Sequence, residues 1–163
     1  MTKPRISFLL LIVIALVQAS YYYPRMPAVM ASHFDGAGNP NAYVSRDSFF
    51  ALFAFVLGLI VFAFGAPPVL LRRLPISWIN LPHREYWLSP ARREDSLARI
   101  TDELTWFGVA SLVMFLFISE LVYRANLEPE PRLSPALWVL LAAYLLFAVF
   151  WTVHFYRSFR PPA

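Results

Sequence analysis

The chain has 163 residues, of which 59% are hydrophobic and only 15% are charged, with a net charge of +4. Soluble domains average about 45–50% apolar and about 25% charged residues, and a short soluble chain buries too little surface to hide such an apolar excess. There is no cysteine, which excludes disulfides, thiolate metal sites and cysteine nucleophiles. The basic residues form no continuous stripe, so the positive charge does not indicate a nucleic-acid partner.

Four apolar runs predict helices that cross a membrane, because a helix needs about 20 mainly apolar residues to span the ~30 Å hydrocarbon core. The runs lie at about residues 6–23, 49–71, 104–123 and 136–156. A membrane β-barrel would show short segments of alternating polarity, and these runs do not alternate. The sequence therefore predicts an all-α integral membrane protein, a single domain built as a bundle of four transmembrane helices.

The first run has a second interpretation as a secretory signal. Lys3 and Arg5 precede its apolar core, and the stretch from Val17 to Ala19 resembles a cleavage site. The apolar core continues to Tyr23 without a polar spacer, which favours a retained helix over a cleaved one. The remaining topology is the same in both cases.

The distribution of lysine and arginine predicts the orientation of the helices. Ten of these residues flank the N-terminus, the loop 72–103 and the C-terminus, and four lie in the other two loops. Basic residues are enriched on the cytoplasmic side, so both termini and the loop 72–103 are predicted to be cytoplasmic. The loop 24–48 is then extracytoplasmic, and the expected location is the cell membrane.

The loop 24–48 contains the signals of a compact turn. Pro24 and Pro27 end the first helix, since proline removes a backbone donor and clashes with the preceding turn. The segment DGAGNP is rich in residues that tolerate tight turns. The flanking residues 28–34 and 41–45 are able to run extended, so the loop is predicted to form a small hairpin or another compact structure.

The pattern MPAVMASHFDGAGNPNAYVSR within this loop resembles the signature of the membrane domain of unknown function sixteen-forty-eight. The positions that carry the resemblance are Pro27, His33, Phe34, Gly38, Pro40, Tyr43 and Arg46. The stretch NLPHREYWLSPARREDSLARI in the loop 72–103 is also similar to members of this family. The resemblance implies a small bacterial membrane protein related to the SdpI-like immunity proteins, although this chain has fewer predicted spans than those proteins usually have.

The resemblance makes the loop the first candidate site for recognition of a ligand or partner. The residues assigned to it are His33, Phe34, Asp35, Gly38, Pro40 and Arg46. The alternative is that His33 and Asp35 only shape the turn. A metal site is the weakest of the three readings, because no second histidine is predicted on that side of the membrane, and we predict no metal and no cofactor.

The loop 72–103 is predicted to begin irregularly and to end in a helix. Ser89 followed by Pro90 is a typical helix start, with serine as the N-cap and proline in the first turn. The helix either lies along the membrane surface or runs directly into the third span. Arg92, Arg93 and Arg99 either contact anionic head groups or only set the topology.

Two polar residues define a second candidate site inside the membrane. Glu120 is the only acidic residue in a predicted span, and an intramembrane carboxylate is a functional hypothesis by default. Arg124 follows four residues later, in pairing range on the same helix face, which favours an ion pair at the interface. His154 lies near the cytoplasmic end of the fourth span, beside Arg157.

Two classes of function follow from these observations. The first is a binding, regulatory or immunity-like protein whose outer loop recognises a peptide, a lipid or a protein partner. The second is a small transporter, an accessory subunit or a membrane enzyme that uses Glu120, His154 or the His33–Asp35 pair. The sequence contains none of the common nucleotide-binding or hydrolase motifs, which favours a non-enzyme. The bilayer is the predicted partner, with a homo-oligomer as a further possibility.

Overall fold

A computed structural model describes residues 2–161 of the chain. In chain order, the elements within these residues are α1 (Lys3–Tyr22), β1 (Val29–Phe34), β2 (Pro40–Ser45), α2 (Arg46–Gly65), α3 (Pro67–Arg73), α4 (Arg84–Trp87), α5 (Arg93–Leu127) and α6 (Ala136–Ser158). Four helices are long and apolar enough to cross a membrane. They are α2, α5, α6 and α1 together with its 3-10 extension to Arg25. The prediction of a mainly helical chain with four candidate spans is confirmed.

The second predicted span is shorter than its apolar run. We predicted helix from residue 49 to residue 71, whereas α2 begins at Arg46, ends at Gly65 and is followed by the separate helix α3. Pro67 and Pro68 have no backbone N–H, so they cannot continue the hydrogen-bonding pattern of α2, but they fit the first turn of a new helix.

The third predicted span is part of a much longer helix. We predicted residues 104–123, but α5 has 35 residues, and at about 1.5 Å per residue it is about 52 Å long, well beyond the ~30 Å hydrocarbon core. The prediction that Ser89 caps this helix is wrong. Its hydroxyl donates to the Tyr86 carbonyl at 3.0 Å, and the N-cap position is Arg92, which forms no side-chain cap.

Helix α5 is the centre of the bundle, with contacts to α1, α2, α3, α6 and β1. Its fully buried face includes Leu112 and Tyr123, which pack with buried residues of α1 and α2. Gly108 lies where side chains of α1 and α2 pack directly against the backbone of α5. A Cβ atom at this position would be 2.6 Å from the Phe64 Cβ and 2.9 Å from a Phe8 ring carbon, so only glycine fits without movement of its neighbours.

Helix α6 contacts the bundle mainly through α5 and has no buried residue. Val139, Leu146 and Phe150 are 71%, 72% and 71% exposed, respectively. Contiguous apolar surface of this kind is rare on soluble monomers, whereas hydrocarbon tails cover it without cost in a bilayer. The exposed helix therefore agrees with a multi-pass membrane protein.

A second apolar cluster closes one end of the bundle. Residues of the segment before α5 pack on the start of α5 and on Phe159 after α6; the buried members are Ile79, Leu81, Leu88, Leu97, Ile100 and Phe159. The Trp87 indole N–H donates to the Phe159 carbonyl at 2.7 Å. The loop 72–103 is therefore an ordered cap over the ends of α5 and α6.

Strands β1 and β2 form an antiparallel hairpin at the other end of α5. The register pairs Val29 with Ser45, Met30 with Val44 and Ala31 with Tyr43, and an irregularity then shifts the pairing near the turn. Of the two structures left open by the sequence, the loop 24–48 adopts the hairpin.

Candidate functional site

The hairpin turn is organised by the carboxylate of Asp35. One of its oxygens accepts hydrogen bonds from the backbone N–H groups of Ala37 and Asn39 at 2.9 and 2.8 Å, and the other accepts from the Asn39 amide at 3.2 Å. The backbone bond from Asn39 is the main cause that lowers the pKa of Asp35 below its ordinary value. This geometry corresponds to the turn-shaping role that the sequence offered as an alternative.

Gly38 fixes the tip of the hairpin to the loop between α5 and α6. Its φ angle of 86° is in the left-handed region that glycine adopts most easily. Its carbonyl accepts a hydrogen bond from the Leu133 N–H at 2.9 Å, and a Cβ on Gly38 would lie 2.5 Å from the Leu133 carbonyl oxygen. Glycine is therefore required here both by the backbone angle and by the close contact.

Asn126, near the end of α5, holds the edge of β1. Its side-chain oxygen accepts the Ala31 N–H at 2.7 Å, and its amide nitrogen donates to the Ala31 carbonyl at 3.0 Å. The side-chain amide of Asn126 thus forms the two hydrogen bonds that a backbone residue of a neighbouring strand would form with Ala31. Both residues are buried, so the pair joins the hairpin to the bundle through hydrogen bonds that are largely shielded from solvent.

The remaining candidate residues of the loop differ in exposure. His33 is exposed, and Phe34 and Pro40 are half-buried. Phe34 lines a cavity of about 320 Å³ beside Leu133 and Trp138. Arg46 lies at the base of the hairpin, where its guanidinium stacks over the Tyr23 ring at 4.7 Å.

A shallow cavity of about 520 Å³ lies between one face of the hairpin and the chain that follows α5. Val29 and Tyr43 line it from the hairpin, and Asn126 and Pro129 line it from the other side. Val29 is 61% exposed and Tyr43 is 56% exposed. The two strands therefore present an apolar and aromatic surface, although the hairpin is fixed at its tip and at its edge.

Glu120 is the centre of a polar cluster between α1 and α5. One carboxylate oxygen accepts from the Tyr22 hydroxyl at 2.8 Å and from Arg124 Nε at 2.7 Å, and the other accepts from the Gln18 amide at 2.9 Å. The pair with Arg124 was expected from the sequence. The contributions of Gln18 and Tyr22 were missed, although Gln18 is a polar residue in an apolar run and could have signalled a partner in another helix.

His154 does not join this cluster. It is exposed on α6, near the end that packs with the start of α5, as the contact of Phe107 with Trp151 shows. Glu120 lies thirteen residues beyond Phe107, which is about 20 Å along the helix. The two intramembrane candidates therefore lie near opposite ends of the bundle and form no common site.

Three arginines of the loop 72–103, for which the sequence left a lipid contact open, contact other groups of the protein. Arg92 stacks on Tyr86 at 4.2 Å, and Arg99 stacks on the Phe159 ring at 4.9 Å. Arg93 reaches the backbone carbonyls of Arg72 and Leu74 at 3.5 Å. The guanidinium group of each of these three residues thus has a structural contact within the protein.

Residues 10–60 match the family described as Domain of unknown function (DUF1648). The match confirms the resemblance noted in the sequence, and it covers most of α1, the whole hairpin and most of α2. Neither a curated protein nor a solved structure shows a significant match to the chain.

The segment that matches this family, residues 10–60, does not supply all the contacts that hold its hairpin. Asn126 holds β1 and Leu133 holds the turn, and both lie outside residues 10–60. Sequence reasoning missed both residues. A lone asparagine just before the end of a long apolar helix was the only local signal for Asn126, and Leu133 gave none.

Proposed function

We propose that this chain is a multi-pass protein of the cell membrane whose DUF1648 hairpin recognises a peptide or protein partner outside the cytoplasm. The observation that carries the proposal is that the hairpin is fixed by Asn126 and Leu133 while His33, Val29 and Tyr43 stay exposed. A surface that is already ordered loses less conformational entropy on binding, which favours affinity. The orientation rests on the excess of basic residues in the termini and in the loop 72–103.

The backbone of β2 supports recognition of an extended peptide. The N–H and C=O of Ala31 both bond to Asn126, so they are not available to Tyr43, the residue opposite in the register. In an antiparallel pair, a residue at a non-hydrogen-bonded position points its own N–H and C=O away from the partner strand. The sheet has only two strands within residues 2–161, so Tyr43 offers these groups at a free edge, where a peptide strand can add.

An immunity-like role, with a secreted peptide toxin as the partner, is the specific form of this proposal that the sequence resemblance implies. The alternative of a transporter or enzyme that uses Glu120 has less support from the geometry. Both oxygens of this carboxylate are occupied by neighbouring side chains, and His154 is remote from it.

Photo-crosslinking in intact cells tests the proposal. A photoreactive residue in place of exposed Asn41 is expected to give a discrete adduct, and the same residue in place of Ser77, in the cap, is expected to give none. Tyr43→Pro removes the outward N–H of the edge and should abolish the adduct, whereas Tyr43→Phe should retain it. His33→Ala should weaken the adduct. An adduct that survives both Tyr43→Pro and His33→Ala, or its absence at Asn41, would contradict the proposal.

A further inference from the structure

A groove between α1 and α5 lies beside the Glu120 cluster and has a volume of about 630 Å³. Its walls are apolar along most of their length and include Leu11, Ile14 and Val17 of α1, and Val113 and Phe117 of α5. Ile14, Val17 and Phe117 are 42%, 62% and 53% exposed, so the groove opens to the side of the bundle. In a membrane, that side faces the hydrocarbon.

The length of the groove matches one leaflet of a bilayer. The α1 residues that line it run from Leu11 to Tyr22, a rise of about 16 Å. Half of the ~30 Å hydrocarbon core is about 15 Å. An acyl chain that starts at the polar end of the groove would therefore reach the middle of the membrane within it.

The polar end of the groove carries two exposed guanidinium groups. Arg124 bonds Glu120 through Nε, and its side chain remains 72% exposed. Arg25 stacks on the ring of Tyr21, another lining residue, at 3.8 Å. Glu120 opposes one of these charges, but its oxygens face Gln18, Tyr22 and Arg124, and its side chain is only 26% exposed. The accessible charge at the groove mouth is therefore positive.

We propose that the groove binds one anionic phospholipid, with an acyl chain between α1 and α5 and the phosphate at Arg124 and Arg25. Arginine suits this role because its planar guanidinium forms paired hydrogen bonds with phosphate oxygens. The Glu120 cluster orients Arg124 at the head-group level by holding its Nε. The groove between α1 and α5 is distinct from the cavity beside the hairpin, and Arg25 lies between the two, since it stacks on Tyr21 of the groove and also lines that cavity.

Native mass spectrometry of the full chain released from detergent tests the site, with phosphatidylglycerol and phosphatidylcholine as the added probes. One phosphatidylglycerol per chain is expected to be retained, at least fivefold more than phosphatidylcholine. Arg124→Gln should remove this preference, and the matched control Arg132→Gln, an exposed arginine in the α5–α6 loop, should keep it.

A second pair of variants leaves the polar cluster intact. Val17→Trp fills the groove and should lower retention of phosphatidylglycerol at least fivefold, whereas Val139→Trp, on the equally open face of α6, should not. If the two tryptophan variants lowered retention equally, the retained phosphatidylglycerol would be annular lipid rather than lipid bound in the groove, and the proposal would be overturned. Equal retention of phosphatidylglycerol and phosphatidylcholine would also overturn the proposal. A dimer that Val17→Trp dissociates would overturn it too, because a second copy of the chain would then occupy the groove.

Discussion

Asn126 satisfies, with one side chain, two backbone groups that would otherwise be buried without a partner. Asn126→Ala leaves the Ala31 N–H and C=O unpaired, and an unpaired buried polar group costs about 1–3 kcal/mol. We expect faster amide hydrogen exchange across β1 and a lower unfolding temperature in detergent. Asn41→Ala, at an exposed asparagine of the same hairpin, is the control and should leave both measurements unchanged.

Gly38 and Gly36 form a matched pair in the hairpin turn. Gly38→Ala places a Cβ 2.5 Å from the Leu133 carbonyl oxygen and forces alanine into the left-handed region, which alone costs about 1–2 kcal/mol. Gly36→Ala meets nothing within 4 Å. We expect proteolysis of the hairpin to accelerate in the first variant only. Equal proteolysis of the two variants would show that the tip is not held by Leu133.

The lowered pKa of Asp35 allows a prediction of how the turn responds to acid. The pKa of Asp35 is lower in the folded chain than its unfolded value, near 3.8. The ionised carboxylate therefore stabilises the turn fully above that unfolded value, and this stabilisation is lost as the pH falls through the lower folded pKa. The NMR shifts of the Ala37 and Asn39 amides should titrate with a midpoint below 3.8. Asp35→Asn should abolish the titration, and a midpoint at or above 3.8 in the unmodified chain would contradict the prediction.

At the scale of the elements, the packing of α1 and α2 on α5 depends on Gly108. Gly108→Ala pushes a methyl group against Phe64 and Phe8, and overpacking of this kind typically costs about 1–3 kcal/mol. Gly58→Ala, in α2, meets nothing within 4 Å and serves as the control. Thermal unfolding in detergent should show a lower midpoint for the first variant alone; a similar loss in both would mean that the close approach is not at Gly108.

The glycines of the helices show that composition does not identify a close contact. Helix α2 contains Gly58 and Gly65, yet a Cβ atom would meet nothing within 4 Å at Gly58 and only a Phe8 ring carbon, at 3.9 Å, at Gly65. The structure places the tightest contact at Gly108 of α5, where α1 and α2 meet the same point. Which small residue lies at a crossing depends on the rotation of each helix, and rotation is a property of the packed bundle.

At the scale of the whole molecule, the absence of cysteine makes the predicted orientation directly measurable. We expect a membrane-impermeant maleimide to label Ala37→Cys, in the hairpin turn, in intact cells. Ser77→Cys, in the cap at the other end of α5, should react only after the membrane is permeabilised. The opposite result would invert the topology and remove the basis for partner recognition outside the cytoplasm.

The number of spans and the hairpin turn were predictable because their signals are local. Run length and polarity identify a membrane helix wherever it packs. The backbone is restricted locally at Pro67, at Pro68 and in the DGAGNP segment, whatever surrounds these residues. The residues at which the helices begin and end were less predictable. The start of α5 at Arg93 depends on the cap that packs against Leu97 and Ile100, and Ser89 alone did not determine it.

The sequence by itself determined that the chain is a membrane protein of four candidate spans and that Asp35 and Gly38 lie in a tight turn, because these features follow from residues close together in the chain. Only the tertiary structure decided what holds the turn and what surrounds Glu120. Asn126 and Ala31 are 95 residues apart, and Gln18 and Glu120 are 102 apart. Such pairs form because packing of α1 and of the hairpin on α5 brings distant polar groups together in buried or partly buried places, and no local pattern records that packing.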